Sequence, residues 1–151
     1  MNRALSWDDL FLQDSSLDFV RILSCWPQLD FGRIRPIGLS AFGDCFFERS
    51  DGTIHVLDTL HGRVYQVATS MDEFTTKMNS PQWQEEHLMS AFLAQLLENG
   101  LSRGPGQVIG FAPHPAFTGK LSAGQAMALD PIVWHSIAGQ IFSDMSPEAQ
   151  Q

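Results

Sequence analysis

An α+β domain with a mainly antiparallel sheet is the fold class this sequence predicts, and three observations predict it. Segments with helical periodicity occupy both ends of the chain. Between them, residues 34–68 hold short runs rich in aromatic and β-branched residues, separated by Gly38, Gly43, Asp51-Gly52 and His61-Gly62. Finally, 44% of the 151 residues are apolar, with eleven Phe and four Trp, which is enough for a core and unlike a disordered composition. The expected arrangement is a small sheet flanked by helices, with the long helices of the C-terminal half packing on it. Residues 1–151 read as a single domain, with short N-terminal helices over 1–36, a core over 37–145 and a frayed tail over 146–151.

From Ser6 to Cys25 the pattern is helical. Ser6 can cap, Asp9 stands three residues on as the capping-box acid, and Leu10, Phe11, Leu17, Val20 and Leu23 supply apolar groups. Asp14-Ser15-Ser16 predicts a break into two short helices, and Trp26-Pro27 ends the second, because a residue before proline is pushed out of the helical region. Residues 34–39, 44–48, 53–57 and 63–68 predict an antiparallel meander of three or four strands. Asp51-Gly52 is its strongest hairpin signal, since glycine accepts the positive φ such turns need. Ser70 and Glu73 cap a short helix, and Ser80-Pro81 opens a longer one with the stripe Leu88, Met89, Phe92, Leu93, Leu96, Leu97, ended by Asn99-Gly100. A strand is expected at 107–111 within a Gly- and Pro-rich stretch. Asp130-Pro131 starts the last helix, whose stripe reads Trp134, Ile137, Ala138, Ile141, Phe142, Met145.

Charge excludes one function class. Seventeen acidic residues against nine basic ones give a net charge of −8, and the two Lys and seven Arg never form a run. Nucleic-acid binding relies on such runs to neutralise phosphates, so no direct nucleic-acid partner is expected. A negative surface instead attracts basic partners and speeds their encounter. Cys25 and Cys45 lie twenty residues apart in apolar surroundings, without the paired spacing of a metal site, and read as buried free thiols of a reducing compartment. The N-terminus has no apolar leader core and no run is long enough to cross a membrane, so a cytoplasmic protein with no membrane partner is expected.

A catalytic constellation is not apparent. None of His55, His61, His87, His114 and His135 forms a zinc-type pair with another His or a Cys. His55 and His61 could meet across a hairpin and hold a metal with Asp58, but strand and turn roles explain them better, so neither metal nor cofactor is expected. His135 reads as a local hydrogen-bonding group on the final helix. Ser40 in Gly38-Leu39-Ser40-Ala41-Phe42 lacks the second glycine of a nucleophile elbow. Gly104-Pro105-Gly106 resembles a phosphate loop only superficially, because its proline removes a backbone donor and a strand follows. The adjacent acids Asp8-Asp9, Asp72-Glu73 and Glu85-Glu86 are read as helix starts, where carboxylates favour the positive end of the dipole. A non-enzymatic protein is expected. The alternatives are an interaction module of a bacterial assembly and an enzyme with a pocket near Asp58, His61 or His135.

Four blocks carry a family likeness: SAFGDCFF (40–47), HVLDTLHGRV (55–64), GLSRGPGQVIGF with the Pro and Gly positions that follow (100–119), and DPIVWHSIAGQIF (130–142). In their order and spacing they resemble the C-terminal domain of type VI secretion immunity proteins, a domain that often follows a GAD-like domain. The resemblance covers about two-thirds of the chain. It implies a cytoplasmic immunity factor that binds and neutralises a cognate protein toxin, which for some members is a DNA-degrading nuclease. Departures bear on what carries over. After Gly106-Gln107 the family usually has a Cys-Tyr-like pair and then Phe-Lys, where this chain has Val108-Ile109-Gly110-Phe111-Ala112. The double glycine of the next loop is Thr118-Gly119, and the histidine that often follows Gly-Gln-Ile is Phe142. The upstream domain is replaced by some forty residues that read as short helices. An inhibitor can occlude a basic nuclease cleft by presenting carboxylates where phosphates would lie. The partner-binding residues expected on this ground are Asp72, Glu73, Glu85 and Glu86, joined by Asp8 and Asp9, with Trp83 or Trp7 as an exposed aromatic anchor.

Overall fold

The computed structural model describes residues 5–13 and 16–145. Ser6 caps helix α1 (Trp7–Leu10): its hydroxyl accepts from the Asp9 amide while the Asp9 carboxylate reaches back to the Ser6 amide. The chain then extends at once. Phe11–Leu12 form strand β1, antiparallel to the end of β2 (Ile34–Ser40), which corrects the helical reading of Phe11. A four-residue helix has little intrinsic stability, and the open sheet edge offers Phe11 and Leu12 a hydrogen-bonded ladder instead. Helix α2 (Phe19–Ser24) follows, capped by Asp18. The expected break at Asp14-Ser15-Ser16 and the tail at 146–151 fall on or beside residues outside the described ones.

Strands β3 (Cys45–Arg49), β4 (Ile54–Asp58) and β5 (Arg63–Ala68) complete a five-stranded antiparallel sheet in the order β1-β2-β3-β4-β5, the expected meander with one strand more. Gly52 takes φ +88° in the Asp51-Gly52 turn, where the Asp51 carboxylate accepts from the Thr53 amide. The fold is α+β. Both faces of β3 are covered, because consecutive side chains point to opposite sides. Phe46 meets Phe11, Phe74 and Trp83 on one face, and Phe47 lies under Phe31 on the other.

Helix α3 (Met71–Lys77) starts at Ser70, whose hydroxyl accepts from the Glu73 amide, and α4 (Pro81–Leu88) starts at Ser80 in the same way through Trp83. The single long helix expected from residue 81 to Asn99 is in fact two, because Met89 adopts a left-handed conformation (φ 50°, ψ 49°) between α4 and α5 (Ser90–Glu98). Neither glycine nor proline marks the break. The Glu85 carboxylate accepts from the Ala91 amide and supplies the start of α5 with the cap that Met89 lacks. The apolar stripe still faces the core, with Leu88, Leu93 and Leu96 buried and Met89, Phe92 and Leu97 packed against them.

Strand β6 (Val108–Phe111) was expected. Its partner β7 (Ala126–Leu129) and the short helix α6 (Pro115–Thr118) were not, since residues 112–129 show no periodic pattern. The Ile109 amide donates to the Ala41 carbonyl and ties this two-stranded sheet to the β2–β3 turn. Helix α7 (Pro131–Met145) closes the fold. Its buried line runs through Trp134, His135, Ala138 and Gly139, whereas Ile137 is 41% and Met145 53% exposed, against the expected stripe. The contact with the end of α2 sets this rotation. A Cβ on Gly139 would lie 2.0 Å from the Cys25 carbonyl oxygen, so only glycine permits the approach. Among the described residues no helix is long and apolar enough to cross a membrane.

Candidate functional site

Two places gather polar chemistry. The first is the turn between β4 and β5. Its backbone is pinned by carboxylates: the Thr59 amide donates to Asp44, and the Leu60 and His61 amides donate to Asp58. Thr59, wholly buried, is the hub. Its hydroxyl donates to Asp44 Oδ1 at 2.9 Å and accepts from Trp134 Nε1 at 3.1 Å, while its carbonyl accepts from His114 Nε2 at 2.9 Å. Ser40 reinforces the neighbouring turn by accepting from the Phe42 and Asp44 amides, a structural use in keeping with its lack of a nucleophile elbow.

The carboxyl of Asp44 is enclosed, although other atoms of the residue stay accessible. Burial first, and then the charge of Asp58, raise its pKa above the ordinary carboxylate range, with the Thr59 hydrogen bonds opposing. Both buried histidines are pushed the other way. Burial lowers His114, and it takes His135 down to about 4. His135 is not the local hydrogen-bonder expected from sequence. Its Nδ1 accepts from Trp26 Nε1 at 2.9 Å, and its Nε2 donates to the Gly43 carbonyl at 2.6 Å, across elements far apart in the chain. With both ring nitrogens occupied, neither His114 nor His135 is placed to exchange protons with a substrate.

Of the residues named for the alternative, enzymatic reading, Asp58 and His61 meet, while His135 lies apart from them in the core. His61 Nδ1 lies 2.7 Å from Asp58 Oδ2, the carboxylate being nearly buried and the imidazole largely exposed. Such a pair fixes the ring orientation and leaves Nε2 facing outward. Arg63 Nε stands 3.9 Å from the same carboxylate. His55 is elsewhere, hydrogen-bonded to Thr53 and stacked on Phe47. Among the described residues, no group of three or more His, Cys, Asp or Glu side chains is arranged to hold a metal. Cys45 is buried and free, and burial lifts its thiol to about 12, while Cys25 is free and half-buried.

The second place is the outer surface of α3 and α4. These helices pack through Phe74 and Trp83, whose rings are 5.6 Å apart, and leave Asp72, Glu85 and Glu86 exposed and Glu73 half-buried. Lys77 is the basic residue among them and pairs with Glu73 at 3.0 Å. Two expectations are corrected. Glu85 and Glu86 lie in the second half of α4, not at its start, because Pro81 begins the helix. Trp83 is 7% exposed, held by Phe46, Phe74 and His87, so it is a core residue and not an exposed anchor. Trp7 is the accessible one at 38%, and with Asp8, Phe11, Gln13, Met78 and Asn79 it lines a groove of about 340 Å³. That groove brings α1 beside the end of α3. A smaller cleft of about 260 Å³ runs between β5 and the two helices, lined by Val67, Lys77, Gln82, Glu86 and His87 among others. Asp9 is occupied in its capping box, and Arg103 grips the Asp8 and Asp9 carbonyls from the far side.

The fold and this surface thus define an α+β protein with a five-stranded meander and an acidic helical face. It is similar to the crystal structure of Atu4351 from Agrobacterium tumefaciens, with a TM-score of 0.50 and 19% identity over 80% of this chain and 60% of that one; the likeness is one of fold. No family model matches the chain, and no curated protein matches it.

Proposed function

We propose that this chain is an immunity-type binding protein that captures a cognate secreted toxin of the nuclease class in the cytoplasm and neutralises it through protein–protein contact, without catalysis. The observation that carries the reading is the disposition of charge on α3 and α4. Asp72 and Glu73 are carried by α3 and Glu85 and Glu86 by the next helix, α4, with Lys77 paired to Glu73 and lining one cleft with Glu86, and a groove at the end of α3 presents Trp7. A basic nucleic-acid cleft is complementary to such a surface, and complementarity gives the fast capture that neutralising a toxin demands. The occupied ring nitrogens of His114 and His135 support binding over catalysis, and the resemblance of the four sequence blocks supports the immunity class.

The test is rescue. A toxin gene neighbouring this one is induced with and without the protein, and the pair is then co-purified. Survival with a stable complex is expected, and Asp72→Lys with Glu86→Lys should weaken the complex at least about tenfold while leaving the fold intact. Equal killing with no complex sinks the reading. A second reading, proton-transfer chemistry in an enzyme, is favoured by the oriented Asp58–His61 pair. It predicts that His61→Ala abolishes the protective effect while the charge reversals leave it untouched.

A further inference from the structure

We propose that His114 and His135 form a two-point latch, released by acid, that holds α7 and the segment bearing α6 against the turns of the five-stranded sheet. Each imidazole is used in the same tautomer. His114 Nε2–H donates to the Thr59 carbonyl of the β4–β5 turn, and His114 Nδ1 accepts from the Ala116 amide at the start of α6. His135 Nε2–H donates to the Gly43 carbonyl of the β2–β3 turn, and His135 Nδ1 accepts from the Trp26 indole at the end of α2. A proton gained by either ring lands on Nδ1 and turns an acceptor into a donor facing an N–H. The bond is lost, a charge is buried, and the ring must leave its site. His114 is also sandwiched by Trp134 (5.1 Å) and Phe142 (5.5 Å), so both histidines hold the same helix.

The groups around the latch decide the sign. Facing His114 from the β4–β5 turn are Asp58 and His61, with Asp58 favouring and His61 opposing its protonation. On the elements that hold His135, the Cys25 thiol at the end of α2 lies 3.9 Å from the Ile132 carbonyl, three residues before His135 on α7, and Asp44 follows Gly43 on the β2–β3 turn. The two histidines, lowered in the fold, contribute stability that is fully present above the ordinary histidine range and is lost as pH falls below it, for His135 down to about 4. Asp44, raised in the fold, acts oppositely: its contribution is complete below the ordinary carboxylate value and is lost as pH rises through the folded value. Between the two ranges the latch therefore takes up two protons on release and Asp44 gives one back. His55 and His87, also lowered, add the same background to every variant.

The experiment follows unfolding by denaturant with tryptophan fluorescence from pH 7.5 to 4.5 in the full chain. Relative to wild type, Asp44→Asn should steepen the acid dependence of the unfolding constant by up to about tenfold per pH unit, one proton's worth, and His114→Gln with His135→Gln should reduce it by up to about 100-fold per pH unit, two protons' worth. Heteronuclear NMR of the unaltered protein supplies a readout that needs no variant. Both rings should show as Nε2–H tautomers that protonate only together with loss of the Trp26 and Trp134 indole contacts. The proposal is overturned if either ring protonates while those contacts persist, or if a folded double variant keeps the wild-type slope.

Discussion

Thr59 shows how much one side chain can carry. Its hydroxyl links Asp44 to Trp134, and its carbonyl receives His114, so four segments meet at a residue with no accessible surface. Replacing it by valine keeps the shape and removes the hydroxyl. A buried hydrogen-bonding group lost in this way costs roughly 1–3 kcal/mol. Thr59→Val should lower the urea midpoint accordingly with an unchanged slope, while Thr59→Ser should recover most of the loss. Gly62 is constrained from two sides, by φ +67° and by the Phe142 ring 2.2 Å from where a Cβ would sit. Gly62→Ala is therefore expected to displace the C-terminal part of α7, seen as a change in the NMR shifts of His114 and Phe142.

At the scale of elements, the α2–α7 contact leaves no room for a side chain at Gly139. Gly139→Ala would place a methyl against the Cys25 carbonyl, a backbone atom that cannot rotate away. Forcing the helices apart should cost about 3 kcal/mol and should also loosen the Trp26–His135 hydrogen bond, detectable as faster indole N–H exchange. The junction of α4 and α5 depends on Glu85, whose carboxylate serves the Ala91 amide across the left-handed Met89. Glu85→Gln retains an acceptor and should leave α5 intact, whereas Glu85→Ala should fray its first turn, read as a drop in amide protection at Ala91. Glu85 thus has a structural duty, which is why Asp72 and Glu86 are the cleaner probes of partner binding. Helix starts were legible because Ser6, Ser70 and Ser80 act within four residues. The α4–α5 break and strand β7 were not, since Met89 and Ala126 carry no turn chemistry.

For the molecule as a whole, the net charge of −8 and the acidic layer on α3 and α4 predict association that is steered by charge. Its on-rate with a basic protein partner should fall at least about tenfold as salt rises from roughly 0.02 M to 0.2 M, with the off-rate little changed. An on-rate indifferent to salt would argue that capture uses the groove at Trp7 instead. The candidate site was half visible in advance. The residues Asp72, Glu73, Glu86 and the Asp58–His61 pair could be picked from sequence because charge and short spacing are local. Asp44, Thr59 and His114 could not, because their roles arise only from one another.

What the sequence by itself determined is the α+β class, the meander of residues 34–68, the caps and the acidic character, all set by periodicity, turn residues and composition within a few positions. Only the tertiary structure decided which face of α7 is buried, that Trp83 belongs to the core, and that Trp26 and His135, 109 residues apart, share a hydrogen bond. The reason is physical. Burial and hydrogen-bond partnership depend on which surfaces meet, and a local pattern constrains that choice without making it.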